Sequence, residues 1–109
     1  MTGDKYILAP DGRTPIAEPD LLKWAEWFEN HDRIVRQDHV GDYFVSTVFL
    51  GLDHDWSQKG PPVLWESMIF NSGVIRTGDD IQQRRYTSYD DALAGHEAMV
   101  ERVRMAVKS

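Results

Sequence analysis

Residues 43–50, YFVSTVFL, decide the fold, because apolar side chains occupy both odd and even positions of this run. Successive side chains of a strand point to opposite faces of a sheet. Val45 and Phe49 therefore share one face, and Phe44 and Val48 share the other. A strand that is apolar on both faces is typical of the centre of a sheet that is covered, at least in part, on both sides. The run predicts a central strand.

The flanking runs complete a predicted antiparallel meander. Gly41-Asp42 separates the central strand from the β-prone residues 33–40, and a two-residue connection containing glycine is typical of a hairpin. Residues 62–70, PVLWESMIF, are also apolar on both faces and are predicted to form the next strand. Residues 80–87, DIQQRRYT, are polar on both faces, as edge strands are. A further short strand is predicted at 5–8.

Two helices are predicted to pack on this sheet. The first spans about 19–31, with Pro19 at its first position. Its core stripe is predicted at helical spacing: Leu21, Trp24, Ala25 and Phe28. The second spans about 89–107, with Ser88 as its N-cap and His96 within its apolar stripe. Together these elements predict a single α+β domain over residues 1–109, in which a three- to four-stranded meander packs against two helices.

The composition excludes several kinds of site. The 109 residues include no cysteine, which excludes disulfides, thiolate metal ligands and cysteine nucleophiles. The formal net charge of -6 at pH 7 disfavours generic binding to a nucleic-acid backbone. No window approaches the roughly 18 apolar residues of a membrane span, and the N-terminal residues have no signal-peptide pattern. A soluble, cytoplasmic protein is therefore expected.

The loop after the central strand, GLDHDWSQKGPP at 51–62, contains two aspartates around a histidine. In the predicted meander it lies at the same end of the sheet as His31, so four side chains suited to zinc, manganese or iron(II) converge there. No helical ligand spacing supports a metal, and a polar turn, in which Asp53 binds the following backbone, is the favoured interpretation. The alternative is a small metal- or acid/base-dependent enzyme. Its site would consist of His31, Asp53, His54 and Asp55.

Two polar residues interrupt apolar patterns. His96 lies near the centre of the stripe of the second helix and is predicted to be a core histidine whose ring nitrogens bind a backbone or carboxylate partner. Glu66 interrupts the strand at 62–70 and is predicted to form a structural ion pair or to lie on a solvated face. Its natural partners are Arg84, Arg85 and His96. The alternative is a role in ligand binding.

Basic residues on the predicted edge strand form a second candidate ligand site. Arg84, Arg85 and Tyr86, with Arg76 in the preceding loop, could hold an anionic ligand or sequester a nucleotide whose base stacks on the tyrosine. Charges on an edge strand also prevent aggregation between sheets, and this interpretation is favoured. The segment SGVIRTGD at 72–79 has neither a P-loop lysine nor a G-x-G-x-x-G pattern, so no cofactor is predicted.

The four tryptophans are residues of a kind enriched in the energetically important parts of protein interfaces. Trp27 lies off the stripe of the first helix, and the flank of a wide buried face is its favoured interpretation. Trp56, in the loop at 51–62, either folds back on the sheet or forms a contact surface. If exposed, these two are the candidate partner contacts. The strands carry more two-sided apolar surface than two helices can cover. This surplus predicts that one face of the sheet is buried in a homodimer.

Three phrases occur in order along the chain: VSTVFLGLDHDW at 45–56, GPPVLWESMIF at 60–70 and RRYTSYDDALAGHEAMVERV at 84–103. Together they resemble a group of small uncharacterised proteins encoded by bacteriophages and prophages. That group shares a phrase like STVFLGLDH, followed by GPPxLxE(S/T)M(I/V)F and a final helix with AGHxxMV. The resemblance covers most of residues 44–103. It carries over no catalytic or binding residue, and it implies a phage accessory protein that acts in the bacterial cytoplasm.

The expected function is that of a non-catalytic accessory protein. Ser46, Thr47 and Ser67 lack the G-x-S-x-G context of a serine nucleophile, so acyl-transfer chemistry is unsupported. Surface contacts remain the expected mode of action, with a host protein or a small ligand as the partner.

Overall fold

Four strands form an antiparallel meander in the order β3-β4-β5-β6, and a separate two-stranded sheet precedes them. The computed structural model describes residues 4–55, 60–71 and 82–108. In chain order the elements are β1 (Tyr6–Leu8), β2 (Pro15–Ala17), α1 (Leu21–Asn30), β3 (Ile34–Val40), β4 (Tyr43–Phe49), β5 (Trp65–Asn71), β6 (Gln82–Tyr86) and α2 (Tyr89–Lys108). The predicted α+β class and the meander are confirmed.

The central strand is β4, as predicted. Its register with β5 places Thr47 opposite Ser67, and its register with β3 places Val45 opposite Asp38. The hairpin that joins β3 to β4 turns at Gly41, whose φ of 60° is the positive value that tight hairpins need at their first central residue. The predicted β3–β4 hairpin is therefore confirmed.

A β-bulge interrupts the pairing of β3 with β4 between Ile34 and Arg36. An extra residue in one strand shifts the alternation of its side chains. As a result Val35 packs with the core beneath α2, and Arg36, which is opposite Thr47, reaches Glu97 of α2. The bulge thus turns the start of this edge strand towards the helix.

α2 covers one face of the four-stranded sheet and contacts all four of its strands. Its apolar stripe forms two buried clusters with the strands. The members of the first are Val45, Ile69, Met99, Val100 and Val103, and those of the second are Phe49, Leu64, Trp65 and Ala92. Burial of each large side chain stabilises the fold by about 1.5–3 kcal/mol, so this interface is the main source of stability.

α1 differs from its prediction at the N-terminus. It begins at Leu21, and Asp20 is its N-cap: the Asp20 carboxylate accepts hydrogen bonds from the backbone N–H groups of Leu22 and Lys23. The extended backbone of Asp20 explains why Pro19 is outside the helix rather than at its first position. Leu21 is 61% exposed and so is not the core residue that the stripe predicted.

The position of α1 is fixed by its aromatic residues rather than by a buried stripe, since none of its residues is fully buried. The indole Nε1 of Trp24 donates to the carbonyl oxygens of Tyr6 and Gly51, at 3.2 and 3.0 Å. The Trp27 ring packs edge-on against Phe49, with ring centroids 5.8 Å apart. α1 therefore lies at the end of the sheet, beside β1, and leaves α2 as the main cover of the sheet.

Candidate functional site

A chain of four polar side chains crosses the sheet beneath α2. Ser67 hydrogen-bonds to Thr47, the Thr47 hydroxyl lies 2.6 Å from His96 Nδ1, and His96 Nε2 lies 2.7 Å from an Asp38 carboxylate oxygen. Ser67, Thr47 and His96 are fully buried. We call this set the polar chain. It joins neighbouring strands of the sheet to the centre of α2.

The partners of the polar chain determine the direction of its hydrogen bonds. An ionised carboxylate only accepts, so His96 Nε2 carries a proton and donates it to Asp38. When the ring holds only this proton, Nδ1 accepts from the Thr47 hydroxyl, which in turn accepts from Ser67. Every link in the chain thus has one donor and one acceptor, as buried polar groups require.

Asp38 connects the polar chain to the surface at the β3 edge. Its side chain is 37% exposed, and the Arg36 guanidinium lies 3.4 Å from the same carboxylate oxygen that binds His96. The hydrogen bond from His96 lowers the pKa of the Asp38 carboxyl from its ordinary value, and partial desolvation opposes this effect only in part. Asp38 is therefore ionised at neutral pH, consistent with its acceptor role.

The order hydroxyl, imidazole, carboxylate is the order that activates a nucleophile in serine hydrolases. Here both hydroxyls have no exposed surface, because the clusters around Val45 and Phe49 flank them and α2 covers them. A substrate atom cannot reach Thr47 or Ser67 in this conformation. The geometry fits a structural role, in which the chain satisfies buried polar groups and ties the strands to α2. The prediction that His96 is a core histidine with a carboxylate partner is confirmed.

The opposite face of the sheet carries apolar side chains that no described helix covers extensively. It presents His39, Phe44 and Phe70 in one row and Val48 and Glu66 in another, and the row between them holds Gln37, Ser46 and Met68. The Phe44 ring lies 4.5 Å from the His39 ring and 6.2 Å from the Phe70 ring, between centroids. We call this surface the open face. Its aromatic row resembles the apolar patches through which proteins contact partners.

Glu66 is on the open face and forms an ion pair there. Its carboxylate accepts from Arg85 Nε at 2.9 Å and from the Gln83 side-chain amide at 2.7 Å. The Glu66 side chain is only 13% exposed, so the pair is partly shielded from water. This geometry matches the predicted structural ion pair, with Arg85 as the partner.

Arg84, Arg85 and Tyr86, which were predicted to act together, alternate between the two faces of β6, and all three line one cleft at its outer edge. Arg85 lies on the open face, whereas Arg84 is opposite Ser67 and Tyr86 is opposite Trp65, both on the face beneath α2. The Tyr86 ring packs against Gly95, where a Cβ would overlap the ring. Its hydroxyl is buried and has no hydrogen-bond partner among the described residues. The ring thus packs closely against α2, and Tyr86 is partly buried. Arg76 lies outside the described residues.

A cleft of about 480 Å³ lies between the outer edge of β6 and α2. We call it the edge cleft. Its lining residues are Arg84, Arg85, Tyr86, Thr87, Asp91, Ala94, Gly95 and Ala98. The small residues of α2 create the space, because Ala94, Gly95 and Ala98 carry at most a methyl group. Within the described part of the chain Arg84 has no ion pair.

The Asp53-His54-Asp55 loop is held by its own backbone. Asp53 Oδ1 accepts from the backbone N–H groups of Asp55 and Val63, at 2.8 and 2.9 Å, which is the local bonding of a polar turn. His54 Nδ1 lies 2.8 Å from the carbonyl oxygen of Leu52. His31 is at the end of α1, stacked on Trp27. Among residues 4–55, 60–71 and 82–108, no group of three or more potential ligands is arranged to hold a metal ion.

The two tryptophans predicted as partner contacts have different outcomes. Trp27 is half-buried, between Phe49 and His31, with one side lining a cavity of about 470 Å³ next to Leu8 and Pro10. Much of its ring surface is therefore used within the fold. Trp56 lies outside the described residues. The exposed aromatic surface is instead supplied by Phe70, which is 39% exposed at the open face.

Sequence reasoning misses three members of the polar chain. Thr47 and Ser67 occupy the alternate strand positions whose side chains α2 buries, so their burial can be predicted once the strand registers are known. No local sequence pattern predicts the role of Asp38, because its contact with His96 spans 58 residues of sequence.

Comparisons with protein-family models, with curated proteins and with solved structures find no match to this chain. Among the described residues, no helix is both long and apolar enough to span a membrane.

Proposed function

We propose that this protein is a non-catalytic binding protein, of the accessory kind that phages encode, and that it contacts a protein partner through the open face. The observation that carries the proposal is the unequal cover of the sheet. One face is sealed by α2, and the other presents an aromatic row with Phe70 at 39% exposure.

The charge on the open face supports this use. The molecule has a net charge of -6, yet the carboxylate of Glu66 on this face is neutralised by Arg85 at 2.9 Å. An apolar surface with paired charges can be desolvated at low cost, whereas an unpaired carboxylate resists burial. The open face therefore suits protein contact better than the acidic remainder of the surface.

The burial of the polar chain supports a non-catalytic role. Thr47 and His96 have the spacing of an activated nucleophile, at 2.6 Å, but neither side chain has exposed surface. Catalysis through them requires α2 to separate from the sheet, which exposes the largest apolar clusters of the fold. The resemblance to phage proteins adds a setting, the bacterial cytoplasm, in which a host protein is the natural partner.

Site-specific photo-crosslinking in the bacterial host tests the proposal, because it captures whichever protein lies against the labelled position. A photoreactive phenylalanine analogue replaces Phe70 on the open face, and in a matched control it replaces Arg102 on the exposed side of α2. The proposal predicts a discrete adduct from position 70 only. A second copy of the chain or a host protein would each appear as a defined mass.

Equal adducts from both positions, or none from position 70 at native expression, would reject the open face as the contact surface. The Phe44→Ser, Phe70→Ser double variant provides a further check, since it should abolish the adduct of an analogue placed at His39 while it leaves the α2 face unchanged.

A further inference from the structure

The two edges of the four-stranded sheet are protected to very different degrees. At the β3 edge a bulge interrupts the pairing, Asp38 points inward to His96, and Arg36 reaches Glu97 of α2. Bulges and inward-pointing charges are devices that prevent another strand from pairing with an edge. The β3 edge is thus closed to strand addition.

The β6 edge has no bulge, and its one inward-facing charge, Arg84, has no ion pair among the described residues. Its five residues pair with β5 in one unbroken register, and its sequence QQRRY contains no proline. In an antiparallel edge strand every second residue directs its N–H and C=O groups away from the neighbouring strand. Within the described part of the chain β6 pairs with β5 only, so no described strand occupies this outward row.

The edge cleft lies directly beside this row. Its helix wall consists of Ala94, Gly95 and Ala98, which leave room for side chains that point from a fifth strand towards α2. Its strand wall holds Arg84 and Tyr86, and Asp91 lines it in the first turn of α2. A groove between a strand edge and a helix is the shape that domains with strand-addition sites present to extended peptides.

The charges in the edge cleft indicate the chemistry of the occupant. Arg85 is neutralised on the open face by Glu66, but Arg84, on the face beneath α2, has no ion pair among the described residues. A carboxylate on the incoming segment would pair with Arg84. Pairing of β6 with β6 of a second copy would bring four arginines together, and like charges on paired strands are destabilising. The charge pattern therefore favours an acidic partner strand over self-pairing.

We propose that β6 accepts an extended, acidic segment of a partner protein as a fifth strand. One carboxylate of the segment binds Arg84, and a small apolar side chain enters the edge cleft between Tyr86 and Ala98. Backbone hydrogen bonds supply affinity, and the side chains that face α2 supply specificity. This inference shares with the proposed function only the assumption that the partner is a polypeptide. The site is separate from the open face, so either surface can fail alone.

A randomised peptide library displayed on phage, selected on the full-length protein, tests the proposal with a defined probe. Selected peptides are synthesised, and their dissociation constants are measured by fluorescence anisotropy. We expect an Asp or Glu at a constant position. We also expect Arg84→Glu to weaken binding by about 10- to 100-fold, the effect of losing one charge-assisted hydrogen bond. The matched control Arg102→Glu makes the same charge change on the exposed side of α2 and should leave the affinity within about twofold.

Two further measurements separate strand addition from other modes of binding. N-methylation of alternate peptide residues removes backbone donors, so methylation of one set should abolish binding and methylation of the other should have little effect. Ala98→Leu fills the edge cleft at an exposed position that tolerates a larger side chain, and it should weaken binding while the unfolding midpoint stays unchanged.

Several outcomes would overturn the inference. These are a selection without an acidic consensus, affinity that is insensitive to Arg84→Glu, or tolerance of N-methylation at every position. Inorganic phosphate or a nucleotide that binds with the same dependence on Arg84, while no peptide binds, would assign the cleft to a small anion instead. Peptides that match this chain's own sequence would assign it to a second copy. The crosslinking experiment at Phe70 remains informative in each case, because it reports on the other face of the sheet.

Discussion

Replacement of Thr47 by valine tests whether the polar chain is a structural network. Valine has nearly the same shape as threonine, so Thr47→Val leaves the packing intact and removes one hydroxyl. That hydroxyl donates to His96 Nδ1 and accepts from Ser67, both fully buried. The variant thus leaves one acceptor and one donor without partners in the core. Each unsatisfied buried group costs about 1–3 kcal/mol, so with two such groups the free energy of unfolding should fall by about 2–6 kcal/mol.

Urea unfolding followed by tryptophan fluorescence measures this loss. A domain of this size has about 5–15 kcal/mol of stability, so the midpoint should shift clearly at an unchanged slope. Ser46→Ala is the matched control, since it removes a hydroxyl from the same strand on the open face, and it should cost less than about 0.5 kcal/mol. Adding Ser67→Ala to Thr47→Val removes the Ser67 hydroxyl, which the first substitution leaves without an acceptor. It should restore part of the lost free energy of unfolding, and a double-mutant cycle quantifies this. A cost for Thr47→Val below about 0.5 kcal/mol would refute the reasoning.

The remaining predictions concern the packing of Tyr86 against α2, the pH dependence of stability in acid and the oligomeric state. Tyr86→Phe removes a buried hydroxyl without a partner among the described residues and should leave the urea midpoint unchanged or raise it, whereas a clear loss would reveal a partner. Gly95→Ala should destabilise the protein despite the higher helix propensity of alanine, because the new methyl group overlaps the Tyr86 ring; pairing it with Tyr86→Ala should relieve the effect. Because the pKa of Asp38 is lowered in the folded state, its ionised carboxylate stabilises the fold fully above the unfolded pKa of about 3.9. This contribution is lost as the pH falls through the folded pKa. Asp38→Asn should therefore flatten the pH dependence of the unfolding midpoint below about pH 4. For assembly, the homodimer predicted from the sequence would use the open face in place of a host protein. Sedimentation at high micromolar concentration would then show a dimer that Phe70→Glu converts to a monomer, and a wild-type monomer under these conditions would contradict the homodimer.

The elements that sequence reasoning predicts correctly are those whose side-chain period agrees with their final burial. β4 and β5 carry apolar residues at the alternation that α2 covers, and the stripe of α2 occurs at helical spacing from Ala92 to Val103. The burial of His96 follows from the same stripe, because a single polar residue within it has to be buried with a partner. Local periodicity is enough for these conclusions.

The misplaced features depend on contacts that are distant in sequence. The spacing of α1 predicts a core stripe, but the chain carries this helix to the end of the sheet, where only parts of Trp24, Trp27 and Phe28 are covered. β2, at Pro15–Ala17, has only three residues and is held by pairing with β1, so no local pattern identifies it. Arg84 and Arg85 are adjacent in sequence and both line the edge cleft, but alternation on the strand sends their side chains to opposite faces, so only Arg85 pairs with Glu66.

The polar chain also bears on how β4 and β5 choose their alignment during folding. A slip of one residue would expose the apolar face of a strand, but a slip of two preserves every inward and outward position and satisfies the apolar pattern equally well. Only the native alignment places Thr47 opposite Ser67; a shift of two residues sets each hydroxyl against an apolar side chain and breaks the hydrogen bond between them. Three polar side chains beneath a helix thus distinguish alignments that hydrophobicity cannot. A fully apolar version of this core should consequently remain folded while it populates more than one strand alignment, which would be visible as doubled amide resonances along β5.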